Sequence, residues 1–399
     1  MIIMNILVIN AGSSSLKFQY INPDTKAVLI KGNYDGINRS DGNPCLKKIS
    51  ISGHSTVDNL IIVNHEQAIE DMLVTLTEKK VITRFSEIEF IGHRVVHGAE
   101  EYSKTTEITD QMLESLKIVS FLAPLHNPIN IKCIEILKEK LPEAKQYAVF
   151  DTAFHQTMPD KIFLYALPKD LYDKFKIRKY GFHGISHQYV SKQVAEILNK
   201  DYNKLNIITC HLGNGQSICA IKQGKSYDTS MGFTPVDGLP MGTRSGSFDP
   251  EIILFLLEKG YTKEEIKNLI NKKSGLLGIS QISSDHRQIE ELSKKGFLFA
   301  RLANDILNTR IINIIGSYAA EMNGVDVIVF TGGIGEKSAY LREQILENFT
   351  YLGLEIDKAA NDEHELIITK PNSKVIAMVI PTNEELEIAI ETSEKIRKG

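Results

Sequence analysis

The sequence has 399 residues with 46 basic and 50 acidic side chains, and its formal charge is −4. Because the charges are spread along the chain without a basic tail or stripe, nucleic acid is not an expected partner. Hydrophobic residues make up 42% and charged residues 24%, which is typical of a globular protein, and the length suggests two or three domains. The four cysteines are scattered without C-x-x-C spacing, so reduced thiols and a cytoplasmic location are expected.

The N-terminal segment Met1 to Ile9 is apolar but has no basic region, so it predicts a buried strand and not a signal peptide. The strand pattern of Met4 to Ile9 stops at the small-residue turn Asn10 to Ser15, and Leu16 to Ile21 resumes an extended pattern. No stretch reaches the ~18 consecutive apolar residues needed to cross a bilayer, so no membrane association is expected.

Helical and extended patterns then alternate, which indicates an α/β fold. Helices are predicted for Glu66 to Lys80 and Asn130 to Lys140, and strands for Phe90 to His97 and Gln146 to Phe150. No helix is expected around Gly184.

The strand, small-residue turn and strand return half a chain later, as Asn206 to Cys210, His211 to Ser217 and Ile218 to Ile221. This repeat fits two domains of the same architecture. A third apolar strand, Val325 to Phe330, leads into Thr331 to Lys337. Helical patterns follow from Ala339, and the last helix is predicted from Glu384 to Arg397.

Three loops of small residues, each after an apolar strand, could bring backbone N–H groups close to phosphates. They are Asn10 to Lys17, His211 to Ser217 and Thr331 to Lys337. None is a Walker A or Rossmann motif, and each alone could be an ordinary turn.

Nine motifs together, in this order and spacing, resemble the acetate kinase (acetokinase) family. They are NAGSSSLKF from Asn10, GHRVVHG from Gly92, PLHNP from Pro124, FDTAFHQTMP from Phe150, KYGFHGISH from Lys179, CHLGNGQS from Cys210, MGFTPVDGLPMGTRSGSFDP from Met231, FTGGIGE from Phe330 and PTNEE from Pro381. The resemblance implies two duplicated α/β domains of the actin-like, sugar-kinase-like (ribonuclease H-like) fold around a nucleotide cleft, residues 1–150 with 384–399 and residues 151–383. It also implies a homodimer.

Transfer of the γ-phosphoryl group of ATP to a carboxylate depends on positioning and on neutralising charge, so cations are expected in the site. Strand alternation predicts that Arg94 and Val96 point one way while His93, Val95 and His97 point the other. By resemblance, Arg94 binds the carboxylate, and the methyl group contacts Val96, Leu125, Phe182 and Pro235. A structural ion pair is the alternative for Arg94.

Arg244 lies in a small-residue loop and could deliver a cation to the transferring phosphoryl group. The resemblance assigns it this role with His183 beside it, and His126 is a weaker candidate nearby. The spacing of His183 with His187, and of His93 with His97, could bind zinc on a helix, but neither pair has the Glu of a zincin motif.

Asp151 follows a predicted strand and is catalytic by resemblance. Because a substrate carboxylate with a pKa of ~4 is already ionised at pH 7, we expect Asp151 to position an arginine or metal-bound water. Asn10 and Glu384 match the family's Mg²⁺ site, with Mn²⁺ as an alternative metal. Glu385 is predicted to form a capping box with Thr382.

The remaining matches predict ATP or ADP contacts, with a surface position as the alternative for Lys337. They are Lys17, His211, Leu212, Gly213, Asn214, Gly215, Asp285, His286, Arg287, Gly333, Ile334, Gly335, Glu336 and Lys337. His286 departs from the family, in which an aromatic or apolar residue is more usual, and this affects the predicted nucleotide preference.

The sequence therefore predicts a kinase that converts ATP and acetate to ADP and acetyl phosphate. A propionate or butyrate kinase would differ only in the pocket walls, and one methylene changes binding by only ~1 to 3 kcal/mol. A nucleotide-driven chaperone or filament protein and a zinc hydrolase are two further hypotheses. The chaperone or filament protein would not need Arg94, Arg244 and His183 together.

Overall fold

The apolar segments before the small-residue turns form the central strands of two β-sheets. A computed structural model describes residues 4–38, 43–124 and 126–398. The chain divides into a first unit, Met1–Phe154 with Asn383–Gly399, and a second unit, His155–Thr382. The predicted domain assignment stays a prediction.

The sheet of the first unit is formed by β1 (Ile6–Ala11), β2 (Ser15–Asn22), β3 (Ala27–Asp35), β4 (Cys45–Ile51), β5 (His54–Leu60), β6 (Phe90–Val95), β7 (Thr106–Glu107) and β8 (Lys145–Phe150). The strand order is β5-β4-β3-β2-β1-β6-β8-β7. β1 pairs antiparallel with β2 and parallel with β6, which in turn pairs parallel with β8. Its first three helices are α1 (His65–Glu78), α2 (Asp110–Val119) and α3 (Asn127–Lys140).

The sheet of the second unit has the order β11-β10-β9-β12-β13. Its strands are β9 (Asn206–Leu212), β10 (Gln216–Lys222), β11 (Lys225–Thr229), β12 (Val327–Thr331) and β13 (Ile376–Val379). Its helices are α4 (Asp160–Phe163), α5 (Lys169–Phe175), α6 (Gly184–Leu198), α7 (Glu251–Glu258), α8 (Lys263–Lys272), α9 (Gly275–Ser280), α10 (His286–Lys294), α11 (Leu298–Met322), α12 (Gly332–Lys337), α13 (Ala339–Leu346) and α14 (Lys358–Asp362).

The two sheets share one topology. In each sheet, three neighbouring strands pair antiparallel, and two further strands run parallel to the central strand, β1 or β9. The order β3-β2-β1-β6-β8 therefore corresponds to β11-β10-β9-β12-β13. The internal repeat in the sequence therefore corresponds to a repeated sheet. The predicted α/β class is confirmed.

The final helix, α15 (Glu384–Lys398), belongs to the first unit and packs against β1, β2, β6 and β8. Gly92 on β6 makes room for it, because a Cβ there would lie 2.7 Å from the Thr392 hydroxyl and 2.9 Å from Ile388. The opposite face of the sheet packs against α1 and α3 through a core that includes Ile91 and Leu137. No helix among the described residues is long and apolar enough to cross a membrane.

Two sequence expectations about helix starts are wrong. A helix does begin at Gly184, because the left-handed backbone of His183 (φ 58°) turns the chain directly into α6, whose apolar residues Ile185, Val190 and Val194 are buried. The last helix is capped by Asn383, whose Oδ1 accepts the N–H of Leu386 at 3.1 Å. Thr382 instead bonds the Ser186 hydroxyl at 2.8 Å, so the predicted capping box does not form.

We expect Asn383→Ala to lower the free energy of unfolding by about 1 kcal/mol, because the first turn of α15 loses its side-chain acceptor. Asn383→Ser keeps an oxygen at the cap and should lose much less. Urea unfolding of both variants measures the difference. Equal losses would show that this cap does not stabilise the helix.

Candidate active site

Three polar side chains of the first unit meet at the carboxyl ends of parallel strands. Asn10 lies near the end of β1, Arg94 near the end of β6, and Asp151 directly after β8. Arg94 donates from Nε to Asp151 Oδ1 at 3.1 Å and from Nη2 to Asp151 Oδ2, and from Nη1 to Asn10 Oδ1 at 3.1 Å. Asp151 is 1% exposed, so its carboxylate depends on this guanidinium for its counter-charge.

Two further carboxylates, at the start of α15, join this group. Asn10 Nδ2 donates to Glu385 Oε1 at 3.1 Å, and Glu385 Oε2 accepts from Gln19 at 3.5 Å. We call Asn10, Arg94, Asp151, Glu384 and Glu385 the arginine cluster. Glu385 was missed as a cluster member because the capping pattern explained it locally.

The charges of the arginine cluster do not balance. The pKa of Glu384 is raised to about 7, chiefly by burial and also by the Asp151 and Glu385 carboxylates, against the lowering effect of Arg94 and Lys17. Burial alone would lower the pKa of Arg94, but Asp151 and Glu384 outweigh it and raise that pKa. Three carboxylates thus face Arg94 and the neighbouring Lys17, which lies outside the cluster. Carboxylate and amide oxygens are ligands that Mg²⁺ prefers, with water and phosphate completing its coordination, so Asn10 and Glu384 fit this metal.

The other predicted residues of the first unit are Val96, Leu125, His126 and Lys17. β6 ends at Val95, so strand alternation does not extend to Val96, which is buried and donates its N–H to Asn130 at 3.2 Å. His126 precedes α3 and is half-buried. Leu125 lies outside the described residues. Lys17 on β2 is exposed.

In the second unit, Arg244 is a half-buried cation with no carboxylate partner among the residues that the structure describes. Its Nη1 donates to the carbonyl of Pro235 at 2.6 Å, and burial lowers its pKa. A Cβ on Gly215 would lie 3.1 Å from Arg244 Nη2 and 3.6 Å from His183 Nε2. Gly215, Arg244 and His183 are therefore neighbours, and the absence of a side chain on Gly215 leaves room between them.

Hydrogen bonds and a ring stack fix the orientation of His183. Its Nδ1 bonds the Ser217 hydroxyl at 2.9 Å, and the same hydroxyl bonds His187 Nε2 at 2.7 Å. The His183 and His211 rings stack at 4.4 Å. Phe182, the preceding residue, is buried, and its carbonyl bonds His155 at 3.0 Å. Within the described ranges, no group of three His, Cys, Asp or Glu side chains is arranged to hold a metal ion.

Most of the residues predicted to contact the nucleotide line a cavity of about 590 Å³ in the second unit. We call it the nucleotide cavity. Of the predicted residues, it is lined by Gly213, Asn214, Asp285, His286, Arg287, Gly333, Ile334 and Lys337. Sequence reasoning missed Ser284, Glu290 and Ser338, and only the position of Ser284 beside Asp285 could have suggested one of them.

Several predicted contacts do not line this cavity. Leu212 and Gly335 are buried, and Glu336 Oε1 accepts the N–H of Gly332 at 2.9 Å, so its carboxylate holds the backbone of α12. His211 lies against His183, as described above. His286 lines the cavity but is 4% exposed, and its Nε2 bonds Asn304 at 3.3 Å.

Known proteins resemble this chain over nearly its whole length. A sequence model of the acetokinase family matches residues 5–390. An acetate kinase of Thermosipho africanus is 50% identical over 403 residues, which cover 99% of this chain and 98% of the relative.

The chain also resembles solved structures. The crystal structure of Porphyromonas gingivalis acetate kinase has a TM-score of 0.91 at 43% identity, covering 98% of this chain and 99% of that one. A propionate kinase from Francisella tularensis has a TM-score of 0.91 at 45% identity, with the same coverage.

The buried His93 predicts a pH dependence of stability. Burial lowers its pKa to about 4, against the raising effect of its 2.6 Å hydrogen bond to Gln146. The unfolded chain takes up this proton below pH ~6.5, so stability is lost as pH falls from about 6.5 to about 4, by at most about 3 kcal/mol. We expect His93→Gln to make the fall of the urea midpoint over this range smaller, with the rest of the fall coming from groups such as His187 and His286, whose pKa values burial also lowers. His54→Gln, at an exposed position, should leave the fall unchanged. Parallel curves for all three proteins would contradict this.

Proposed function

The chain belongs to the acetokinase family, and we propose that it transfers the γ-phosphoryl group of ATP to acetate, reversibly. A carboxylate oxygen attacks the γ-phosphorus while the bond to the bridging oxygen breaks, giving acetyl phosphate and ADP. The negative charge of the attacking carboxylate passes to the terminal phosphate of ADP, so the reaction balances without the transfer of a proton. The chaperone, filament-protein and zinc-hydrolase hypotheses are rejected, because the chain is a kinase.

The observation that carries this proposal is the guanidinium of Arg244, which has no carboxylate partner within the described ranges. A half-buried cation of this kind binds an anion favourably, because folding has already removed part of its hydration shell. Arg244 lies beside His183 and Gly215, and Gly213 of the same turn lines the nucleotide cavity. This arrangement supports a role for Arg244 and His183 in neutralising charge on the transferring phosphoryl group.

Arg94 is proposed to bind the acetate carboxylate and Asp151 to position Arg94. Both oxygens of Asp151 accept from Arg94, which leaves the carboxylate poorly placed to act as a base. Acetate needs no base, because it is ionised at neutral pH. Asp151 thus acts by holding the guanidinium at a fixed angle, with Asn10 on the other side.

The nucleotide cavity is proposed to bind ATP and ADP through the eight predicted residues that line it. The exposed side chain of Lys337 provides positive charge there, whereas the charge of Arg287 is offset by its 2.5 Å ion pair with Asp285. Lys17, His211, Leu212, Gly215, Gly335 and Glu336 stay predicted contacts, although the buried Leu212 and Gly335 and the bonded Glu336 act through the backbone at most.

Mg²⁺ is the proposed metal, with Mn²⁺ as the alternative, and Asn10 and Glu384 would hold it. When bound, the metal would neutralise phosphate charge during transfer. The excess of carboxylates in the arginine cluster supports this assignment.

Propionate is the second candidate substrate, because a propionate kinase is as similar to this chain as an acetate kinase is. Val96, Phe182 and Pro235 are proposed contacts of the methyl group, and Leu125 and His126 stay predicted. The size of these side chains would determine whether the pocket prefers acetate or propionate, which differ by one methylene.

A homodimer in the cytoplasm is also proposed. The described residues of α7 include none that is buried, and its Ile252, Leu254, Phe255 and Leu257 are about half exposed. Contiguous exposed apolar side chains of this kind support a protein contact. All four cysteines are free and buried, which is compatible with a reducing compartment.

Acyl-hydroxamate formation from ATP, Mg²⁺ and carboxylates of increasing length tests the function. We expect the strongest signal with acetate. Arg94→Ala should raise the KM for acetate about tenfold or more through loss of a charged hydrogen bond, and Arg244→Ala should lower kcat about a thousandfold. Arg301→Ala, at an exposed position on α11, is the control and should match wild type. No hydroxamate with any acid would disprove the kinase reaction, and a maximum at propionate would select the second candidate.

The metal assignment is tested on the first turn of α15. Glu384→Gln keeps the shape of the side chain but removes its charge, so we expect the Mg²⁺ concentration for half-maximal activity to rise about tenfold. Glu394→Gln, an exposed residue on the same helix, should leave it unchanged. An unchanged Mg²⁺ requirement in Glu384→Gln would remove Glu384 from the metal site.

A further inference from the structure

Arg342 on α13 is the largest side chain with full burial in the described chain, at 0% exposure. A guanidinium has five N–H donors, and all five have acceptors here. Nη1 donates to the carbonyls of Gly335 at 2.8 Å and Glu336 at 3.0 Å. Nε and Nη2 donate to Asn361 Oδ1 and O, both at 2.8 Å, and Nη2 also donates to His364 Nδ1 at 2.8 Å.

The two α12 carbonyls are groups that a helix leaves without partners at its end. α12 is only six residues long, and Ser338 joins it directly to α13. Arg342, on the first turn of α13, reaches back to close the end of α12. The negative end of the helix dipole also favours a cation there. Because Asn361 binds both Arg342 and the carbonyl of Ala339, the contact fixes α12 against the start of α13.

The held segment lines the nucleotide cavity. Gly333, Ile334 and Lys337 of α12, and Ser338 after it, are cavity residues. Ser338 in turn donates to Glu290, which lies on the cavity wall as well. The N-terminal end of α12 is held separately, by the Glu336 carboxylate on the N–H of Gly332. A buried cation that touches no ligand thus fixes the backbone on one side of the cavity.

We infer that Arg342 is a positioning residue for the nucleotide, which acts by holding the Gly335 and Glu336 carbonyls so that Ile334 and Lys337 face the cavity. The inference rests on the proposed function insofar as the cavity is taken to bind ATP and ADP. Lysine cannot replace Arg342, because its three donors leave at least two of the five acceptors without a partner. Loss of these bonds frees the end of α12 and so weakens binding of the nucleotide.

The test compares Arg342→Lys with Arg178→Lys. Arg178 is also buried in the second unit, at 4% exposure, but it packs on the ring of Phe163 and does not line the cavity. We expect Arg342→Lys to weaken ADP binding in titration calorimetry with Mg²⁺ about tenfold. In the hydroxamate assay, KM for ATP should rise by a similar factor while KM for acetate stays unchanged. Arg178→Lys should lower thermal stability without changing either nucleotide constant.

The inference is overturned if ADP affinity in Arg342→Lys stays within about twofold of wild type, or if both lysine variants weaken ADP binding equally.

Should Arg342→Lys not fold, His364→Ala replaces it, since this change removes one acceptor of Arg342 at an exposed position. Faster amide exchange in residues 332–337 and about threefold weaker ADP binding are then expected; no change in both would overturn the inference. ADP binding is independent of turnover, so wild type that binds ADP but forms no hydroxamate refutes the proposed function alone.

Discussion

Both candidate binding regions depend on one constraint, the parallel pairing of a central strand with the next strand across the sheet. β1 pairs with β6 and β6 with β8, so the residues that follow these strands meet at one edge and bring Asn10, Arg94 and Asp151 into contact. In the second unit β9 pairs in parallel with β12, so the turn after β9 and the start of α12 meet in the same way. In each unit, short polar or glycine-rich segments directly follow the carboxyl ends of these parallel strands, so the hydrogen bonds of the sheet fix where the segments begin.

The structural features that follow from local sequence pattern were predicted correctly, whereas those that depend on contacts between distant residues were missed. Apolar runs and small-residue turns were enough to place β1, β2, β9 and β10, and the repeated pattern indicated the repeated sheet. The cap of α15 could not be predicted, because Thr382 and Asn383 are both good caps and the choice follows from the bond of Thr382 to Ser186. The role of Arg342 could not be predicted either, because its hydrogen-bond acceptors on α14 are distant in sequence.

The two arginines of the proposed reaction have opposite electrostatic settings. Arg94 is paired on two sides, and the carboxylates around it raise its pKa. Arg244 has a backbone carbonyl as partner, and burial lowers its pKa. A paired arginine is well oriented, but the charge of its carboxylate partner offsets its own, whereas an arginine without a carboxylate partner offers an incoming anion a charge that is not offset. This difference matches the proposed roles of orienting acetate and of neutralising the transferring phosphoryl group.

The charge balance of the arginine cluster also explains why acetate binding should depend on the metal. Asp151, Glu384 and Glu385 outnumber Arg94 and Lys17, so an approaching carboxylate meets a region that is negative overall when Glu384 is ionised. With a pKa of about 7, Glu384 is partly protonated at neutral pH, which relieves the repulsion only in part. A divalent cation on Glu384 reverses the sign of the region. The carboxylates around Arg94 therefore make the proposed metal necessary for acetate as well as for the nucleotide.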